Sequence, residues 1–242
     1  MKKYLKILVF MLILSSLTMQ VYARAGGGGG GSGGGGSSGG GSHYHSTNGS
    51  GRSNPIASIL NMGLFYLVFA GGTIVFGYRA HKAKVKTVRL MKQYEKLGIN
   101  WNYKEIQSRI EKGYFEIQEC WRRQDVEYAA EYLSKELKES WNAKLEWMKI
   151  RGEEVIQRNV RLLSAMPVFV VDEEGTDQDQ IWYLIHGRMT GYYVNKYTKK
   201  VIRGNTKPES FYEYWLFIYE DGRWVLQEIR QKDEMDIMQF SE

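Results

Sequence analysis

Between Ile56 and Tyr78 the chain runs for 23 residues without a charged side chain. Only a helix lets a backbone of that length satisfy its own hydrogen bonds away from water, and about 20 apolar residues cross the ~30 Å hydrocarbon layer of a bilayer. Phe, Leu, Val and Ile fall on every side of such a helix instead of one stripe. A transmembrane helix over 56–78 is therefore expected. Arg79, Lys82, Lys84, Lys86, Arg89 and Lys92 follow at once, whereas only Arg52 lies near the other end. The positive-inside bias then gives a single-pass protein of the cell membrane with its C-terminal part in the cytoplasm. The same six side chains, on a basic juxtamembrane helix over 79–98, are the expected contacts for anionic lipid, at about 1 kcal/mol each near such a surface.

What precedes the span divides in two. A basic start at Met1 to Lys6, an apolar run from Ile7 to Leu14 and the small-x-small pattern Ala23-Arg24-Ala25 read as a signal peptide over 1–25, with an uncleaved anchor from Leu5 to Val21 as the alternative. From Gly26 to Ser53, 22 of 28 residues are Gly or Ser. That composition has no apolar surface to offset the entropy of ordering, so 26–53 is read as a disordered glycine-rich linker. Charge is as uneven: residues 1–92 carry 11 basic and no acidic side chains, and residues 93–242 carry 22 basic and 27 acidic. The net +6 is thus 11 minus 5, and the mildly acidic C-terminal part gives no reason to expect nucleic-acid binding. Cys120 is the one cysteine, which excludes an intrachain disulfide and a Cys-x-x-Cys zinc or redox site.

The remaining residues suffice for one domain. The juxtamembrane helix is expected to run to Leu97 and stop at a left-handed Gly98. Asn102, with Glu105 three residues on, caps a second helix whose apolar face is Ile106, Ile110, Tyr114, Ile117 and Trp121. Asp125 caps a short helix. Ser134 caps another with Leu137, Trp141, Leu145 and Met148, ended by Arg151-Gly152. Then the period changes, and Val155–Val171, Ile181–Val194, Ser210–Tyr219 and Arg223–Arg230 read as four antiparallel strands. Asp221-Gly222 marks a tight hairpin, and Pro167 and Pro208 fit strand ends or bulges. Helices followed by strands give an α+β fold, with helices packed on one face of a curved sheet.

Ile117-Gln118-Glu119-Cys120-Trp121 with Asp125, then Tyr214-Trp215-Leu216-Phe217, Gly222-Arg223-Trp224 and Glu228-Ile229-Arg230-Gln231, resemble the Tim44-like domain family. Its bacterial members similarly begin with a signal-like segment, an Ala-Arg-Ala-Gly-Gly junction, a glycine tract and one span. The resemblance places the domain at 99–231, with 232–242 as a tail. It implies a fold similar to nuclear transport factor two: three helices on a strongly bent four-stranded sheet, cone-like, around an apolar cavity. It also implies membrane-surface attachment and tethering of other proteins.

Related cones include isomerases and dehydratases that set a carboxylate or histidine in the cavity. Any His-dependent chemistry in the folded part would have to use His186, read as structural, and Cys120 is read as a small core residue. Asp172, Glu173, Glu174, Asp177 and Asp179 lack the spacing of a calcium loop and are read as a solvated hairpin loop. His43 and His45 are too few to hold a metal. No cofactor, metal or catalytic residue is assigned. Trp121, Tyr193, Tyr214, Trp215, Phe217 and Trp224 are the candidate lining of a pocket for an acyl chain or a partner's apolar segment. The expected function is a non-enzymatic, membrane-proximal tether or adaptor that binds protein or anionic lipid. An enzyme, or a small-molecule-binding protein, using the cone cavity is the alternative.

Overall fold

The computed structural model describes residues 23–25, 55–96, 98, 100–173 and 179–240, with the side chains of 55–71, 238 and 239 left outside that description. The expected signal segment as far as Tyr22, the 26–53 tract with His43 and His45, and the acidic positions Glu174 and Asp177 lie outside the described residues.

A single helix, α1 (Pro55–Tyr94), runs for 40 residues where a span and a separate juxtamembrane helix were expected. Its backbone includes the 56–78 segment, but the side chains as far as Gly71 lie outside the described residues. Among the described residues no helix is long and apolar enough to cross a membrane. Ala80, Ala83, Thr87 and Met91, spaced three and four apart, form its buried stripe against the domain. α1 ends at Tyr94, not Leu97, and Gly98 does not take the left-handed conformation expected of it. The Gly98 N–H donates to the Tyr94 carbonyl at 3.0 Å instead. Just past the helix end Trp101 packs back on Tyr94, ring centroids 5.2 Å apart.

Asn102 caps α2 (Tyr103–Arg123) as its sequence predicts, its Oδ1 accepting from the Lys104 and Glu105 amides at 3.1 and 3.2 Å. The short element after Asp125 is a 3₁₀ helix, Val126–Tyr132, kinked at Ala129. Ser134 Oγ accepts from the Leu137 amide at 3.1 Å and starts α3 (Lys135–Ile150), which ends at Arg151 before Gly152 at φ +65°.

Four strands follow as an antiparallel meander: β1 (Glu153–Val171), β2 (Gln180–Asn195), β3 (Val201–Glu220) and β4 (Arg223–Gln231), paired in chain order. The β3–β4 hairpin turns on Asp221 at φ 49° and Gly222 at φ 79°, the two positive values a tight primed turn requires. β3 begins at Val201 instead of Ser210, because Val201–Glu209 continues the pairing with β2 across an irregularity that holds Pro208. Pro167 sits beside a register slip in the edge strand β1, a position where proline is tolerated in a sheet.

Alternation splits the sheet between two cores. Tyr183, Ile185, Tyr193, Trp215, Phe217 and Leu226 share a cluster with Ile106, Ile110, Tyr114, Ile117 and Trp121 of α2 and Leu145 of α3. We call this the inner face. Val168, Trp182, Leu184 and Tyr214 point to the outer face and pack with Ala80 and Ala83 of α1 and with Ile237 and Phe240 of a C-terminal 3₁₀ helix, Ile237–Phe240. The expectation that helices cover one face only is thus corrected. The outer face of an aromatic-rich strand is itself apolar here, and α1 has two alanines where it must approach closely.

The layers fit most tightly at Gly187 of β2. A Cβ there would lie 2.4 Å from Phe211 Cζ and 2.6 Å from the Tyr114 hydroxyl. Gly187→Ala should therefore lower stability by about 1–3 kcal/mol, seen as a lower urea midpoint with unchanged slope.

Candidate functional site

The inner face carries one feature that strand alternation alone does not require. Phe211, Glu213, Trp215 and Phe217 of β3 share that face, so a carboxylate stands in an aromatic row. Glu213 is fully buried. A buried carboxylate is tolerated only when charge and hydrogen bonds satisfy it. Its Oε2 accepts from Trp215 Nε1 at 3.1 Å, and its Oε1 from Gln231 Nε2 at 3.1 Å.

The cation comes from the far N-terminal side of the chain. Arg24 Nε donates to Glu213 Oε1, and Arg24 Nη2 to Gln231 Oε1. The guanidinium lies 4.2 Å from the centre of the Phe211 ring. Main-chain groups on both sides of Arg24 are held as well: the Ala25 N–H donates to Gln118 Oε1 at 3.2 Å, and Gln157 Nε2 donates to the Ala23 carbonyl at 2.9 Å. Both alanines and Arg24 are buried. Gly191 makes room, since a Cβ on it would lie 3.0 Å from the Ala23 carbonyl oxygen. The socket is thus built from Gln118 of α2, Gln157 of β1, Gly191 of β2, Phe211 and Glu213 of β3, and Gln231 of β4. Among the described residues, Gln118 Nε2 and Gln157 Oε1 are also buried in it without a hydrogen-bond partner.

The sequence offers Ala23-Arg24-Ala25 as a cleavage pattern and Gln118 and Gln231 as parts of family motifs, and it singles out neither Glu213 nor Gln157. The available signal was the acidic residue two positions before an inward tryptophan. Tyr114 borders the site, and burial pushes its hydroxyl pKa up, with the Glu213 charge adding and Arg24 opposing.

The expected pocket residues separate. Trp121, Tyr193, Trp215, Phe217 and Trp224 join the inner core, where Trp121 Nε1 donates to the Tyr193 hydroxyl at 3.2 Å. Tyr214 faces the other way, 5.7 Å from Phe240 between ring centres, because it neighbours Trp215 on one strand. The basic residues are on α1: Lys82, Lys86, Arg89 and Lys92 are exposed, and Arg79 and Lys84 are half-buried.

The residues weighed for chemistry fall outside the socket. His186 is on the outer-face side of β2, stacked on Tyr212 at 4.1 Å and within 2.7 Å of Ser210 Oγ, and burial lowers its pKa. Cys120 is buried, and desolvation pushes its thiol up to about 12, with Asp125 adding to the shift. The acidic loop is not wholly solvated. Asp179 is buried and accepts from Asn100 Nδ2 and from the Glu173 amide, and Asp172 accepts from Trp101 Nε1 at 2.8 Å. Among the described residues no group of three or more His, Cys, Asp or Glu could hold a metal ion.

Comparison with known proteins gives a family. The model of the Tim44-like domain matches residues 87–231. A solved structure, the intermembrane space region of chloroplast protein ARC6, is similar over 44% of this chain and 78% of that one, at 9% identity and a TM-score of 0.32. No curated protein matches the chain in sequence.

Burial of the Cys120 thiol makes folding stability depend on pH. Between the ordinary thiol value of 9.0 and about 12, the unfolded chain releases this proton and the folded one keeps it. Stability should fall as pH rises through that window, by at most about 1.4 kcal/mol per pH unit from this group. Urea midpoints measured from pH 8 to 11 should decline less steeply for Cys120→Ala than for the unchanged protein.

Proposed function

The chain belongs to the Tim44-like domain family, and on that footing we propose that it is a non-catalytic adaptor held beside a membrane, its domain presenting a peptide site close to the lipid surface. The observation that carries this reading is the division of labour along α1. One stripe, Ala80, Ala83, Thr87 and Met91, is buried against the domain. The rest of the surface is graded: Ile74, Val75 and Tyr78 are exposed apolar side chains, and Lys82, Lys86, Arg89 and Lys92 follow as exposed cations. A helix that is apolar and then basic, locked to a globular body, suits the boundary between acyl chains and anionic headgroups.

In this reading residues 56–78 cross the bilayer once and the domain lies on the cytoplasmic side, with the cone-like curvature that the family implies. The charge-free run and the basic cluster after it support the span and its direction. Confinement to a surface raises the local concentration of domain and partner, so weak contacts suffice for tethering. The absence of a role for chemistry is supported by where the reactive side chains sit: the Cys120 thiol is held protonated in the core, and His186 stacks on the outer side of the sheet.

Two measurements test the proposal. A protein beginning at Arg79 should bind anionic vesicles at least ten-fold more weakly when Lys82, Lys86 and Lys92 are changed to Gln, since three charges contribute up to roughly 3 kcal/mol. Unchanged affinity would remove the lipid contact. Protease added to intact cells should leave residues beyond Tyr78 whole, and their digestion while cytosolic proteins survive would remove the orientation.

A further inference from the structure

The socket around Arg24 contains more than a buried ion pair requires. We propose that it is an arginine-reading peptide site, specific for an arginine between two small residues, and that Ala23–Ala25 of the chain itself is its resident ligand, a cap that crossing the membrane removes. The inference deepens the adaptor reading by naming the segment that the peptide site takes, and it rests on that reading.

Four features describe recognition. Glu213 and Gln231 each accept from a different nitrogen of one guanidinium, a planar fork that lysine cannot reproduce. Phe211 provides an aromatic face 4.2 Å from the same group. The flanking main chain is held through the Ala25 amide and the Ala23 carbonyl, contacts independent of side-chain identity. The flanking positions must be small: Ala23 and Ala25 are both buried, and Ala23 lies against Gly191. Gln118 Nε2 and Gln157 Oε1, buried and without partners among the described residues, offer a further donor and acceptor for peptide groups.

Sequence distance makes the contact conditional. Positions 26 to 54, 29 residues, separate Ala25 from Pro55. Fully extended, a chain of that length spans at most about 100 Å. α1 rises by ~30 Å from Pro55 to Phe76, where it meets the domain. Twenty-nine residues are therefore enough in length to join Pro55 to a seated Arg24, provided that both ends of the helix are in one compartment. If 56–78 crosses a bilayer, Ala23–Ala25 and the domain are on opposite sides and the same molecule cannot cap itself. Cleavage after Ala25 would likewise detach the cap. Membrane insertion thus frees a socket with a buried carboxylate, open to an arginine-bearing segment of the same small-Arg-small chemistry.

The close approach at Gly191 supplies the test. A Cβ on Gly191 would lie 3.7 Å from the Ala23 Cβ, within the ~3.5–4.5 Å range of a disulfide. In full-length protein with Cys120→Ala, the pair Ala23→Cys and Gly191→Cys should form a disulfide in detergent under mild oxidation, and adding Glu213→Gln should cut its yield several-fold. In native membranes the yield should fall close to zero. A disulfide that persists in membranes supports the socket and overturns the single-span topology, so the two readings fail separately. The second readout needs no new cysteine. A capped synthetic peptide of residues 20–28 should bind saturably to full-length Arg24→Ala, at least ten-fold more tightly than its Arg24→Lys analogue. Should the cysteine pair not fold by circular dichroism, or should Gly191→Ala alone speed exchange of the Ala25 amide, the peptide result decides alone. Folded protein that forms no disulfide in detergent, or a peptide that does not saturate or does not distinguish Arg from Lys, overturns the proposal.

Discussion

A carboxylate inside an aromatic core costs several kcal/mol unless a charge and directed hydrogen bonds compensate for it. Glu213 sets that condition for the inner face of this domain. It stands between Phe211 and Trp215 on β3, fully buried, and the groups that satisfy it arrive from three places in the chain. Trp215 is its neighbour on the strand, Gln231 is its partner across the β3–β4 ladder, and Arg24 comes from 189 residues away. The sheet register decides which side chains can meet the carboxylate. A slip of one residue in β3 would turn Glu213 to the outer face and bring Tyr212 and Tyr214 inward.

Packing fixes that register. Gly187 admits Phe211 and Tyr114 where no side chain fits, and the Asp221-Gly222 turn sets the pairing of β3 with β4. On the outer face α1 lies against the sheet through Ala80 and Ala83, and the C-terminal 3₁₀ helix covers Trp182 and Tyr214. α1 is therefore part of the domain's own packing. Its orientation is passed to the sheet without a flexible joint over Ala80–Met91.

Local signals in the sequence located most elements, because they rest on short-range chemistry. The caps Asn102, Asp125 and Ser134, the stripe Ile106–Trp121 and the Asp-Gly turn each depend on atoms within a few residues. Expectation and structure part where contacts outside one element decide. Gly98 has the composition of a helix stop, but α1 ends at Tyr94, where Trp101 packs on it. β3 extended back to Val201 because β2 was there to pair with it, which no window around Lys207-Pro208 discloses. Tyr214 was grouped with Trp215 by composition, although alternation sends neighbours to opposite faces. The socket was the least legible part. Ala23-Arg24-Ala25 satisfies a processing pattern completely, and its contact with Glu213 spans nearly the whole chain.

The central claim is that Ala23–Ala25 docks on the inner face through Arg24 and Glu213. The Ala25 amide donates to Gln118 Oε1 within that contact, so hydrogen exchange of full-length protein in detergent reports on it directly. The account predicts that this amide exchanges at least a hundred-fold more slowly than in a free peptide of the same sequence, and that Glu213→Gln restores most of the rate. Exchange at the free-peptide rate in the folded protein would contradict it.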